Sequence, residues 1–157
     1  MILEAKNISF RYGKDTRQIL NDFSLTMESH ERVGIIAPSG FGKTTFCKIL
    51  AGYEMPDSGE ISLDGKPLSS YQGYCPVQMI WQHPEQVVNP RLHMRAVLEE
   101  GDEIEERIVR ELGIEEDWLN RYPTELSGGE MQRFCIARAL GKRTRFILAD
   151  EITTMLD

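Results

Sequence analysis

Apolar residues fall into short alternating or continuous runs over the first half of the chain and into helical spacing over much of the second. Ile2 to Tyr12 predicts a strand, with Ile8, Phe10 and Tyr12 as β-favouring residues, ended by Gly13-Lys14-Asp15. Phe23, Leu25 and Met27 alternate with polar residues and predict a second strand with one buried face. Val33-Gly34-Ile35-Ile36 is continuous and apolar, the pattern of a buried central strand, and Phe46, Ile49 and Leu50 follow at helical spacing. Pro56-Asp57-Ser58-Gly59 breaks the chain, and Ile61-Ser62-Leu63 before Asp64-Gly65 predicts one arm of a hairpin. Val77 to Trp81 predicts a further strand. Beyond Asn89-Pro90 the pattern changes: Ile104, Ile108 and Leu112 stand four apart among charged residues and predict a helix with one apolar stripe, in an acidic stretch reaching Tyr122-Pro123. Ser127 precedes another helix with Phe134, Ala137 and Leu140 inward, and Phe146-Ile147-Leu148-Ala149 predicts a last buried strand.

Composition narrows the picture without naming a function. The 157 residues are 41% hydrophobic and 27% charged, ordinary for a globular chain with a core. A net charge of −7 argues against a binder of nucleic-acid backbones, which needs a basic face. No basic segment leads an apolar run at the start, and no apolar stretch approaches the ~20 residues of a membrane-spanning helix. A soluble chain is expected, with any membrane role supplied by a partner. Cys47, Cys75 and Cys135 are far apart and form no CxxC pair, and His30, His83 and His93 lie at no ligand spacing to them. Reduced thiols are expected rather than a disulfide or a zinc site.

Ala37-Pro38-Ser39-Gly40-Phe41-Gly42-Lys43-Thr44-Thr45 carries the first chemistry. Backbone N–H groups wrap a triphosphate only where bulky side chains are absent, which Gly40 and Gly42 allow. The helix that follows presents its N-terminal donors to the same anion. In this reading Lys43 reaches the β- and γ-phosphates and the Thr44 hydroxyl ligates Mg²⁺. Ala37 stands where the usual phosphate-loop spacing has its first glycine, and would be strained if that position required a positive φ. Taken alone, the loop also reads as an ordinary glycine-containing strand–helix turn.

Two further motifs follow in order. Leu126-Ser127-Gly128-Gly129-Glu130-Met131-Gln132-Arg133 resembles the signature of ATP-binding cassette proteins, with Glu130 in place of the more familiar Gln, and Phe146-Ile147-Leu148-Ala149-Asp150-Glu151 resembles a Walker B strand with its acidic pair. The resemblance covers essentially the whole chain. It implies an α/β fold: a P-loop NTPase core with an N-terminal antiparallel β subdomain and an inserted helical subdomain. Residues 1–88 would hold the β subdomain and phosphate-loop core, about 89–128 the helical subdomain, and 129–157 the return to the core. The implied cofactors are ATP and Mg²⁺. The phosphate-loop residues would hold the nucleotide, and Lys43 would also serve catalysis. Thr44, Gln82 and Asp150 would serve the metal, and Glu151 would polarise the attacking water. Gln82, rather than Gln78, matches the glutamine that touches the metal or that water and lies near the transmembrane partner. Tyr12 matches the aromatic residue that stacks on adenine; from the residues alone it is equally an exposed strand-end tyrosine. Ser127, Gly128 and Gly129 would contact the γ-phosphate of ATP held by a second cassette, so a dimer with two sandwiched nucleotides is implied.

Val77-Gln78-Met79-Ile80-Trp81-Gln82-His83-Pro84, then Asn89-Pro90-Arg91 and Tyr122-Pro123, resembles the importers of dipeptides, oligopeptides and nickel. Trp81, His83 and Val87-Val88 depart from that branch. The implied partners are a second ATPase subunit, transmembrane permease subunits and, indirectly, an extracytoplasmic solute-binding protein, with no nucleic acid. The implied location is the cytoplasmic face of the cell membrane. Thr154-Met155-Leu156-Asp157 falls at the family's D-loop, with Ile152 and Met155 for a usual proline and alanine. Family cassettes continue with more strands and a switch histidine, so weak ATP binding, poor hydrolysis and an aggregation-prone sheet flank are expected of these residues alone. A soluble cassette ATPase outside transport and a nucleotide-binding fragment are the competing readings.

Overall fold

The computed structural model describes residues 1–14 and 16–151. The chain forms two compact units, Met1–Val77 and Gln78–Asp157. The D-loop positions lie outside the described residues.

The first unit is built on an antiparallel sheet of order β2-β1-β3-β4: β1 (Ile2–Phe10), β2 (Leu20–Glu28), β3 (Ser58–Leu63) and β4 (Lys66–Pro67). β1 lies between its partners, with Leu3 opposite both Met27 and Leu63. Its apolar positions Leu3, Ala5, Ile8 and Phe10 are buried, which explains why this strand takes the centre. Asp64 and Gly65 both have positive φ, 50° and 75°, as the tight two-residue connection of β3 to β4 demands. On β2, Leu25 and Met27 are half-buried as alternation requires, and Phe23 sets its ring edge-on to Phe46 with centroids 4.7 Å apart. Phe46 belongs to α1 (Lys43–Leu50), which buries Phe46, Ile49 and Leu50 at helical spacing.

Val33–Ile36 is a correction. These residues form no strand, and Ile36 is 97% exposed. An apolar run becomes a buried strand only when neighbours pair both its edges and cover both faces, and no strand among the described residues pairs with it.

In the second unit, β5 (Val77–Ile80) pairs with β6 (Phe146–Ala149). β6 was expected to be buried throughout; instead Phe146 and Leu148 are buried, while Ile147 is 40% exposed. The acidic stretch also differs from a single long helix. It holds α2 (Met94–Glu99), α3 (Glu106–Glu111) and short 3-10 turns, with Gly113 at φ 63° beyond α3. α3 buries none of its residues, so its stripe of Ile108 and Leu112 is only half covered. The core gathers instead around α4 (Gly128–Ala139): Met131, Phe134, Cys135 and Ala137 join Val88, Met94, Val97, Ile114, Trp118 and Leu119.

Ser127 caps α4. Its hydroxyl accepts from the Glu130 amide at 3.3 Å, and the Glu130 carboxylate accepts from the Ser127 amide at 2.6 Å. This reciprocal box satisfies two otherwise orphaned donors. The backbone and hydroxyl bonds to Ser127 hold the Glu130 carboxyl below its ordinary range. Ser127→Ala should cost about 1 kcal/mol of stability in urea unfolding; an unchanged midpoint and slope would show that the cap contributes nothing.

Candidate functional site

In the first unit, residues 37–45 run from the exposed Val33–Ile36 segment into α1. The Phe41 amide donates to the Pro38 carbonyl at 3.3 Å, closing a turn in which Gly40 takes φ 79°. That left-handed conformation at the third turn position favours glycine. Gly42, at φ 87°, is the N-cap of α1 and has no side chain to bond the helix amides. The N-cap residue thus supplies no side-chain acceptor to the start of α1, where a helix accepts an anion. A Cβ on Gly42 would fall 2.6 Å from Ile19 Cγ2. Gly42→Ala should therefore lose about 1–2 kcal/mol from the left-handed backbone alone, read by denaturant unfolding. Wild-type stability in that variant would mean the loop relaxes freely. Ala37 is not among the residues with positive φ, so alanine in place of the first glycine carries no left-handed strain.

Lys43 folds over its own loop, donating from Nζ to the carbonyl of Ala37 at 2.7 Å and of Pro38 at 3.4 Å. The ammonium is held beside the turn by two neutral acceptors, and a phosphate oxygen offers a stronger, charge-assisted bond. Thr44 is exposed, while Thr45 is buried with its hydroxyl 3.1 Å from the Tyr12 hydroxyl. Tyr12 is 55% exposed and meets Phe10 edge-to-face at 4.9 Å. The structure therefore ties Tyr12 to the phosphate loop, a link that spacing alone did not reveal.

The second unit holds the acidic pair. Asp150, 8% exposed, follows β6, and its amide donates to the Ile80 carbonyl at 3.1 Å. Glu151 is exposed with φ 51°, a left-handed conformation uncommon for a residue with a side chain and frequent where strain serves a site. Gln82 Nε2 donates to Glu151 Oε2 at 3.2 Å, so these two predicted residues meet directly. Ser127, Gly128 and Gly129 stand at the N-terminus of α4, with Ser127 and Gly128 exposed.

Among the described residues, no three His, Cys, Asp or Glu side chains gather into a metal centre. Mg²⁺ needs no such cage, because it retains waters and takes phosphate oxygens with one or two protein ligands. The Thr44 hydroxyl and the Asp150 carboxylate are oxygen donors of that kind. Burial pushes the Cys135 thiol up to about 11 and raises that of Cys75, so neither is an activated thiolate. No helix among the described residues is long and apolar enough to cross a membrane.

The family model described as ABC transporter matches residues 20–154. The spermidine/putrescine import ATP-binding protein PotA of Haemophilus influenzae is 36% identical over an alignment of 169 positions that covers 99% of this chain and 44% of that protein. The nickel import ATP-binding protein NikE of Shigella dysenteriae is 31% identical, over 99% of this chain and 68% of its own. The oligopeptide transport ATP-binding protein OppF of Streptococcus mutans is 32% identical, over 99% and 58%. The chain thus spans about half the length of relatives such as PotA. Among solved structures, the dimeric post-hydrolysis state of the ATP-binding cassette MJ0796 bound to ADP and Pi superposes with a TM-score of 0.80 at 26% identity, covering 99% of this chain and 76% of that one.

Proposed function

This chain belongs to the ABC transporter family, and we propose on that premise that it binds Mg-ATP and hydrolyses it to drive solute import. The observation that carries the reading is the phosphate loop: Gly40 and Gly42 in left-handed conformation leading into the N-terminus of α1, with the Lys43 ammonium alongside.

In this mechanism the α1 amides and Lys43 hold the β- and γ-phosphates, Lys43 exchanging its bonds to Ala37 and Pro38 for phosphate oxygens. Tyr12 lies under the adenine. Thr44 and Asp150, with Gln82, serve the magnesium ion, which when bound neutralises phosphate charge. Glu151 takes a proton from the attacking water while the Gln82 amide, already bonded to its carboxylate, orients the pair. Ser127, Gly128 and Gly129 approach the γ-phosphate of a second cassette, as an exposed helix N-terminus can; the dimeric MJ0796 cassette supports such pairing.

PotA, NikE and OppF are named as import or transport ATP-binding proteins, which supports a subunit working with membrane permeases at the cytoplasmic face and, through them, a solute-binding protein. Peptide or nickel import is the finer reading, supported by Gln82 and Pro84 with Asn89-Pro90-Arg91 and by the NikE and OppF relatives. The higher identity to spermidine/putrescine PotA keeps the cargo at the level of a small solute. Titration with a fluorescent ATP analogue tests the reading: Mg²⁺-dependent binding displaced by ATP but not by AMP is expected. Binding insensitive to the β- and γ-phosphates would overturn it.

A further inference from the structure

We propose that Gln132 is a positioning residue that sets where Gln82 stands against Glu151; the proposal rests on the roles assigned above to those two residues. Gln132 lies in α4 with 0% exposure, the most completely buried polar side chain among the described residues. Its Nε2 donates to the carbonyl of Trp81 at 3.3 Å, the peptide from which Gln82 projects. Its Oε1 is buried with no hydrogen-bond partner. A half-satisfied buried amide is a poor stabiliser, because an apolar side chain of similar volume avoids the unmet oxygen. The residue is thus explained by what its donor holds rather than by packing.

What it holds is one end of a segment. Farther along α4, Arg138 Nη2 donates to the carbonyl of Val87 at 3.2 Å. One helix therefore grips the loop after β5 at Trp81 and again at Val87. Between these anchors, Gln82 reaches Glu151 Oε2 at 3.2 Å. The path from helix to acidic residue is continuous: Gln132 amide, Trp81 carbonyl, Gln82 amide, Glu151 carboxylate.

The test is spectroscopic and needs no nucleotide. The chain has two tryptophans, so 5-fluorotryptophan labelling yields two fluorine resonances, assigned with Trp118→Phe. The Gln82 side-chain amide is followed by nitrogen–proton correlation, assigned with Gln82→Ala. In Gln132→Met the Trp81 resonance should shift while Trp118 stays in place. The Gln82 amide should move to the position it takes in Glu151→Ala, where the bond is absent. The melting temperature should change little, because losing the bond to the Trp81 carbonyl is offset by removing the unmet Gln132 oxygen. An unmoved Gln82 amide would overturn the proposal, and so would a Trp118 resonance that moves as far as that of Trp81, which would make Gln132 a structural residue. Failure of the wild-type chain to bind Mg-ATP would sink the proposed function, yet these spectra would still decide whether Gln132 holds Gln82.

Discussion

Lys43→Ala is expected to abolish the rise in melting temperature that Mg-ATP gives the wild-type chain. A ligand that binds only the folded state stabilises it by about 2.7 kcal/mol at a hundred times its dissociation constant, so the wild-type shift is large enough to read. The Lys43 side chain supplies a cation held beside the turn by two carbonyls of the loop itself, at Ala37 and Pro38. Without it, the phosphates keep the magnesium ion and the backbone dipoles but lose the cation of the loop. Removing those two bonds also alters the unliganded protein, so the informative quantity is the shift within each variant. A Mg-ATP shift in Lys43→Ala equal to that of wild type would remove the lysine from the phosphate site.

Glu151→Gln separates binding from chemistry. Gln keeps the shape and an oxygen that accepts from Gln82 Nε2, so the contact seen at 3.2 Å survives. What is lost is the proton acceptor. Such assistance contributes about 10²–10⁴-fold, and turnover in the assembled cassette should fall by that factor while Mg-ATP stabilisation persists. Near-normal turnover would assign the base elsewhere. Gln132→Met is a milder counterpart: it leaves Glu151 in place and disturbs the residue that faces it.

The readable parts of this chain are those whose physics is local. A glycine-spaced loop before an apolar helical stripe, a serine three residues ahead of a glutamate, and Asp64-Gly65 after alternating residues each specify their own backbone, and α1, the α4 cap and the β3–β4 turn formed accordingly. What failed was inference about surroundings. Val33–Ile36 carries the composition of a doubly covered strand, but composition does not supply neighbours, and Ile36 stands exposed. Ile104, Ile108 and Leu112 keep helical spacing, yet Gly101 and Gly113 bracket the segment and α3 spans only Glu106–Glu111. In the candidate site, motif order singles out Lys43, Gln82, Asp150 and Glu151, and of these the structure brings Gln82 to Glu151. Gln132 was not: within a signature motif it reads as one more polar residue, and only its burial and its bond to Trp81 distinguish it. The tie between Tyr12 and Thr45 likewise joins residues 33 apart in sequence, beyond the reach of any local pattern.

A crystal structure with Mg²⁺ and a non-hydrolysable ATP analogue tests the central claim most directly. The account predicts phosphate oxygens within hydrogen-bond distance of the backbone amides of residues 40–44, with Lys43 Nζ turned from the Ala37 and Pro38 carbonyls onto the β- and γ-phosphates. An analogue bound elsewhere, with Lys43 still on those two carbonyls, would contradict it.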